Sequence, residues 1–237
     1  SVVATLTDME TVTVAATGAN VLTLGGLDVT TIVVNGTGSL KMNSVATTVT
    51  SFDASANSGG VTVDLQAAAG TITVVKAGSG ADLFTVETAD LASNATLSDA
   101  GGVDSLLLES AAGGTVQYAM TGFETLALTD VDTALTFSGR NTTGLKTIST
   151  VAANAANTQF VNMGAAAFTV NAIGTATSLT TIDNTGAITL NFNATAAELV
   201  AKTAVTGAAD LTAAGATALT INVNDYITTT GANITTA

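Results

Sequence analysis

The sequence predicts an all-β protein, a right-handed parallel β-helix or β-roll solenoid, on the basis of three observations. Apolar and hydroxyl-bearing residues alternate with a period of two, which is the pattern of half-buried strands. The strand-like segments recur roughly every ten residues and are separated by Gly, Asn, Ala and Ser. Proline is absent and only 4% of the residues are aromatic, so the edge prolines usual in an antiparallel sandwich are missing and its aromatic core anchors are scarce.

The predicted strands are short and rich in Val, Ile, Leu and Thr. In chain order, the clearest are residues 10–14, 21–24, 31–34, 61–65, 71–75, 124–128, 168–170, 188–192 and 219–223. Their spacing suits an antiparallel sandwich as well as a parallel solenoid. Two-residue hairpins favour Asn-Gly or Asp-Gly turns, and the chain has a single such pair, Asn35–Gly36. The scarcity of hairpin turns therefore favours the solenoid.

One short helix is expected near residues 195–206. Thr195 and Glu198 have the spacing of a capping box, and Gly207 can supply the left-handed residue that ends a helix. We interpret this helix as a cover over an edge or a loop of the solenoid.

Internal repetition suggests how the chain is organised. Residues 9–14 resemble residues 123–128 in sequence, which is typical of a repeat protein. We predict two β-solenoid repeat regions, residues 1–110 and residues 111–237, that together form one continuous structural unit. The first region also contains the candidate metal-binding turns.

The composition excludes several classes of function. The chain contains no His, Cys or Trp, so a Ser-His-Asp triad, a cysteine nucleophile and an imidazole or thiolate metal site are impossible. A net charge of −13 disfavours nucleic acid, and no apolar run reaches the roughly 18 residues of a membrane span. A glycosidase-type carboxylate pair would need aromatic and basic substrate clamps, which are scarce here. We therefore expect no enzymatic activity, no nucleic-acid binding and no membrane insertion.

The clearest local motif is Gly78-Ser-Gly80-Ala-Asp82, directly before an apolar segment. Glycines allow the backbone to bend so that carbonyl groups point at one centre, and the aspartate adds a hard anionic oxygen. Calcium prefers such ligands, so we predict Ca2+ as the cofactor of this turn. An isolated motif of this kind also suits an ordinary Gly-rich β-turn.

A second, degenerate copy of the motif strengthens the calcium interpretation. It contains Asp99, Gly102 and Asp104, about one solenoid coil after the first turn. In a parallel β-roll an ion can lie between consecutive coils, so the two turns are expected to share sites.

Three further acidic residues are placed by the sequence alone. Asp90 lies in the insertion between the two turns, residues 87–97, and is a further candidate calcium ligand. Glu10 and Glu124 each directly precede an apolar strand, either as outward calcium ligands or as solvated carboxylates at a strand start. We favour the second interpretation for both.

Four segments carry a resemblance to a known family. Residues 6–12, 49–55, 77–84 and 121–126, in this order along the chain, resemble segments of bacterial surface-layer (S-layer) proteins. The resemblance is to the Gram-negative kind, which is exported by type I secretion and carries RTX-like calcium turns. It covers most of residues 5–192.

The resemblance implies a structural protein without catalytic activity. A protein of this family is an extracellular, calcium-dependent β-solenoid that associates with itself into a two-dimensional lattice on the bacterial cell surface. Its calcium turns map onto Gly78, Gly80 and Asp82, and onto Gly102 and Asp104. Cell-surface polysaccharide, bound through regions outside this sequence, is a further expected partner. The alternative is a segment of a large secreted RTX-type adhesin that binds glycans or surfaces, because such adhesins use the same motifs.

Overall fold

The structure is a computed structural model, and it is all-β. It describes residues 2–5, 7–25, 28–66, 68, 72–110, 113–131, 133–150, 158–173, 179–193, 211–224 and 234–236. Within these ranges there are 24 strands and one 3₁₀ helix, Gly139–Asn141, and no α-helix. Neighbouring strands pair in parallel, and the chain has the fold of a right-handed parallel β-helix, which confirms the predicted fold class. The helix predicted near residues 195–206 lies outside the described residues.

The chain divides into two compact units. The N-terminal unit comprises Ser1–Leu107 and Tyr118–Glu124, and the C-terminal unit comprises Leu108–Gln117 and Thr125–Ala237. Each unit is built from two sets of parallel strands that alternate along the chain.

The N-terminal unit contains two parallel sheets, called N1 and N2 here. Sheet N1 follows the order β1 (Val2–Thr5), β3 (Ala19–Gly25), β5 (Ser39–Met42), β7 (Val61–Asp64), β9 (Leu83–Glu87) and β11 (Ser105–Ser110), the last of which begins in this unit. Sheet N2 follows the order β2 (Thr11–Ala16), β4 (Thr31–Gly36), β6 (Ser51–Asn57), β8 (Ile72–Lys76), β10 (Leu91–Ser98) and β13 (Ala119–Thr121).

The alternating sequence pattern explains the core of the N-terminal unit. In β4, Ile32 and Val34 point inward and are fully buried, while Val33 between them faces outward and is half-buried. Three phenylalanines stack from coil to coil in the interior: the ring centroids of Phe52 and Phe84 are 5.5 Å apart, and those of Phe84 and Phe123 are 6.1 Å apart. These edge-to-face contacts help to fix the register of successive coils.

The C-terminal unit also contains two parallel sheets, called C1 and C2 here. Sheet C1 follows the order β14 (Thr125–Val131), β17 (Thr147–Thr150), β19 (Phe168–Ile173), β21 (Ala187–Asn193) and β23 (Ala218–Asn224). Sheet C2 follows the order β12 (Gly114–Val116), β15 (Leu135–Ser138), β18 (Thr158–Val161), β20 (Leu179–Asp183), β22 (Leu211–Ala214) and β24 (Ile234–Thr236). The two-residue strand β16 (Thr142–Thr143) completes this unit.

No helix among the described residues has the length and apolar character needed to cross a lipid bilayer.

Candidate metal site

The carboxylates of three aspartates lie close together in the N-terminal unit. Asp82 directly precedes β9, Asp99 directly follows β10, and Asp104 directly precedes β11. One carboxylate oxygen from each residue lies within 4.8 Å of the oxygens from the other two. The fold therefore brings Asp99 and Asp104, from the two ends of the second turn motif, close to Asp82 of the first motif.

Backbone N–H groups hold the Asp82 carboxylate in place. The N–H of Val61 donates to Oδ1 of Asp82 at 2.6 Å, and the N–H of Gly78 donates to Oδ2 at 2.7 Å. The side chain is only 2% exposed. Because Gly78 and Asp82 belong to the same turn, while Val61 lies one coil earlier, this carboxylate ties two coils together.

Asp104 repeats the same contact one coil later. Its Oδ1 accepts a hydrogen bond from the N–H of Asp82 at 2.7 Å, and the N–H of Ser105 donates to the carbonyl of Asp82 at 2.9 Å. Asp104 is completely buried. The two aspartates are therefore stacked equivalents on successive coils.

Two carboxylate oxygens in the cluster lack a protein partner. Oδ1 of Asp99 and Oδ2 of Asp104 are buried, and neither accepts a hydrogen bond from the described residues. A buried acceptor without a partner costs about 1–3 kcal/mol, and more when it carries charge. Two such oxygens from neighbouring carboxylates need a positive charge, either a cation or a proton.

The same shortage of positive charge is accompanied by raised pKa values of Asp82 and Asp104. Burial, reinforced by the negative charges of Asp99 and Asp82, raises the pKa of Asp104 from its ordinary value of 3.8 to about 7. Burial also raises the pKa of Asp82, although the N–H groups of Val61 and Gly78 oppose the change. Without a cation, the cluster therefore tends to bind a proton at Asp104.

Gly102 lets a backbone carbonyl approach closely beside Asp104. Its φ of 139° disfavours any residue with a Cβ, and a Cβ there would overlap the carbonyl oxygen of Gly80. The same Cβ would lie 3.1 Å from Oδ2 of Asp104. The Gly80 carbonyl and the unpartnered Asp104 oxygen therefore both lie close to the side of Gly102 that carries no side chain.

Glu124 continues the stack of carboxylates on the next coil. Its Oε2 accepts a hydrogen bond from the N–H of Asp104 at 3.0 Å, and its own N–H donates to the carbonyl of Asp104 at 3.2 Å. Glu124 is thus a structural partner of the cluster as well as a half-buried residue at a strand start. The signal for this role was present in the sequence, since Asp82, Asp104 and Glu124 each directly precede a strand of two or more apolar residues.

Asp90, a candidate ligand from the sequence, is not part of this group of three carboxylates. It is buried, and its Oδ2 accepts a hydrogen bond from the N–H of Glu87 at 3.1 Å across the turn between β9 and β10. Its negative charge adds to the burial that raises the pKa of Tyr118 to about 12. Asp90 therefore shapes the insertion between the two turns. Of the other predicted site residues, Gly78 donates its N–H to Asp82, and the carbonyl of Gly80 lies against Gly102.

The arrangement fits a hard divalent cation. It offers carboxylate oxygens from three aspartates and a neighbouring backbone carbonyl, with no nitrogen or sulfur ligand. Calcium takes six to eight oxygen ligands of these types in irregular geometries, whereas magnesium demands a near-ideal octahedron. Asp82, Asp99 and Asp104 would hold the ion, and the ion would supply the missing positive charge.

No protein-family model, curated protein or solved structure matches this chain.

Proposed function

We propose that this chain is a calcium-dependent structural module of a bacterial surface layer. The observation that carries the calcium part is the cluster of Asp82, Asp99 and Asp104, in which two buried oxygens lack a hydrogen-bond partner. A calcium ion between these carboxylates satisfies both oxygens and neutralises their mutual repulsion.

Calcium acts in this proposal as a clamp between coils. Asp82 and Asp104 lie on successive coils and are joined by backbone hydrogen bonds. An ion that binds both therefore stabilises the folded register and has no equivalent site in the unfolded chain. Calcium sites of extracellular modules have dissociation constants of roughly 10⁻⁴ to 10⁻³ M, so the clamp engages outside the cell.

The net charge of the chain supports an extracellular, calcium-rich setting. With 18 acidic and 5 basic residues, the chain repels itself when compact. A divalent cation reduces that repulsion and lets copies approach each other. The assembly of these copies into a two-dimensional lattice, and export by type I secretion, rest on the resemblance to S-layer proteins of the RTX-like kind.

A calcium count in matched variants tests the metal part of the proposal. Isothermal titration calorimetry of the wild-type chain is expected to show calcium binding that Asp104→Asn abolishes. Asp28→Asn removes the same charge from an exposed position in the same unit and should keep the ion. Circular dichroism checks that both variants are folded. Equal calcium stoichiometry in all three proteins would contradict the assignment.

Electron microscopy tests the lattice part of the proposal. Purified chain in calcium is expected to form ordered sheets that disperse when a chelator is added. Adhesion to glycans with calcium but without ordered sheets would instead support the RTX-type adhesin. Absence of both behaviours in a calcium-loaded, folded chain would contradict both functions.

A further inference from the structure

Sheet C1 carries a row of threonines in register on its outer face. Thr147 pairs with Thr169, Thr169 with Thr189, and Thr189 with Thr220 on successive strands. The row crosses β17, β19, β21 and β23, so four hydroxyl groups follow one another at the strand spacing of about 4.8 Å.

A second row runs beside the first, two residues further along each strand. Ser149, Asn171, Asn191 and Asn222 are partners in the same four strands. Nδ2 of Asn191 donates to Oδ1 of Asn171 at 2.8 Å, and Nδ2 of Asn222 donates to Oδ1 of Asn191 at 2.8 Å. These hydrogen bonds fix the orientation of the amides.

The two rows form a neutral outer face, called the Thr/Asn face here. Of the residues between the rows, Ile148, Val170 and Leu190 point inward and are fully buried, and Ile221 on the last strand is 41% exposed. The eight side chains of the rows are half-buried or exposed, and none of them is charged. On a chain with a net charge of −13, such a face is a place where two copies can approach with little electrostatic repulsion.

We propose that the Thr/Asn face docks against the same face of a second copy of this chain. This inference rests on the proposed surface-layer function and names one contact of the lattice. A second copy presents hydroxyl and amide groups with an identical repeat, so every coil can meet a coil of its partner. Threonine and asparagine both donate and accept hydrogen bonds, which makes the face self-complementary about a twofold axis.

The size of the face indicates a weak contact that acts through repetition. Four strands at about 4.8 Å spacing span only about 15 Å, so the area buried per copy falls well below the roughly 800 Å² per partner of a standard stable interface. A single pair of copies is therefore expected to dissociate readily. A twofold contact joins only two copies, so in a lattice each copy is held by this contact together with contacts through other surfaces, and the weak contributions add.

Cysteine crosslinking tests the contact directly, because the natural chain has no cysteine. Asn191→Cys places a single thiol at the middle of the Thr/Asn face, and Gln159→Cys places one on the outward side of sheet C2 in the same unit. With a short bis-maleimide and calcium, Asn191→Cys should give covalent dimers and Gln159→Cys should not. Equal crosslinking of the two variants, or none with Asn191→Cys, would overturn the proposal.

A pair of charge variants separates this contact from the lattice itself. Thr169→Glu with Thr189→Glu adds two like charges to the face, while Thr136→Glu with Gln159→Glu adds the same charges to paired positions on sheet C2. The first variant should lose the ordered sheets in the electron microscope, and the second should keep them.

The remaining outcomes are also decisive. Ordered sheets from both double variants would overturn the docking face and leave the lattice proposal standing. A folded, calcium-loaded wild-type chain that forms no sheets and no Asn191→Cys dimers would overturn both. Binding of the wild-type chain to an insoluble polysaccharide, lost in Thr169→Glu with Thr189→Glu and without self-association, would reassign the face to a glycan.

Discussion

Side chains stack from coil to coil in both units, but the two stacks differ in chemistry. The N-terminal unit stacks the carboxylates of Asp82, Asp104 and Glu124, each of which accepts a backbone N–H from the preceding coil. The C-terminal unit stacks the amides of Asn171 and Asn191, together with Asn222, in a row joined by side-chain hydrogen bonds.

The difference shows what a stack of acids requires. An amide has both a donor and an acceptor, so each asparagine can bond the next one without a cation. An ionised carboxylate has acceptors alone, and backbone N–H groups are too few to satisfy all of its oxygens. Oδ1 of Asp99 and Oδ2 of Asp104 are the oxygens left over. The acidic stack therefore depends on an external positive charge, and the amide stack does not.

Calcium removal should have the largest effect, and it should separate the two stacks. At a calcium concentration a hundredfold above the dissociation constant, binding adds about 2.7 kcal/mol to the free energy of unfolding. A chelator should therefore reduce the hydrogen-exchange protection of β7, β9 and β11, with little change in β19 and β21. An equal loss of protection in both sets of strands would contradict the comparison.

Asp104→Asn should convert the acidic stack partly into an amide stack. The variant places a neutral amide where a carboxylate oxygen lacked a partner, so above pH 7, where Asp104 is ionised, we expect the metal-free protein to gain about 1–3 kcal/mol of stability. It should also lose its stabilisation by calcium. Urea unfolding with and without calcium measures both effects, and Asp28→Asn is the control. A destabilised metal-free variant would show that the buried oxygen carries no penalty.

The stability of the metal-free protein should fall as the pH rises. The pKa of Asp104 is raised from 3.8 to about 7, so between these values the folded state binds a proton that the unfolded state has released. This contribution to stability is complete below the unfolded pKa and is lost as the pH rises through the folded pKa. Thermal melting in chelator should show the decline for the wild type and a smaller decline for Asp104→Asn, in which the raised pKa of Asp82 remains. Stability that rises over this pH range in the wild type would contradict the assignment.

Asn191→Asp should have the smallest effect, because it introduces one acid into the amide row. The new carboxylate cannot donate to Oδ1 of Asn171, so we expect a loss of about 1 kcal/mol. Calcium should not restore this loss, since no other carboxylate belongs to the two rows. Thermal melting measures this loss of stability. Asn35→Asp, which adds the same charge outside the amide row, is the control. Full recovery in calcium would show that one carboxylate suffices to build a site.

Part of the candidate site could be predicted from the sequence. The motif around Gly80 and Asp82, and its copy around Asp104, are local patterns of glycine and acid, so their spacing could be recognised directly. The place of Asp90 could not, because the turn after β9 directs its carboxylate to the N–H of Glu87. The link between Glu124 and Asp104 depends on the stacking of coils 20 residues apart.

The amino-acid sequence alone determined the strands and the class of fold. Alternation of Val, Ile and Leu with Thr is a local property, and it places one row of side chains inward whatever the neighbouring strand is. The shortage of hairpin turns then favoured parallel coils over a sandwich.

The tertiary structure alone decided which side chains meet across coils. Stacked partners are 22 residues apart for Asp82 and Asp104, 20 for Asn171 and Asn191, and 31 for Asn191 and Asn222. Because the connections between strands differ in length, no fixed repeat in the sequence predicts these partners. The register is set by backbone pairing and core packing between distant segments, and that pairing creates both the acidic cluster and the Thr/Asn face.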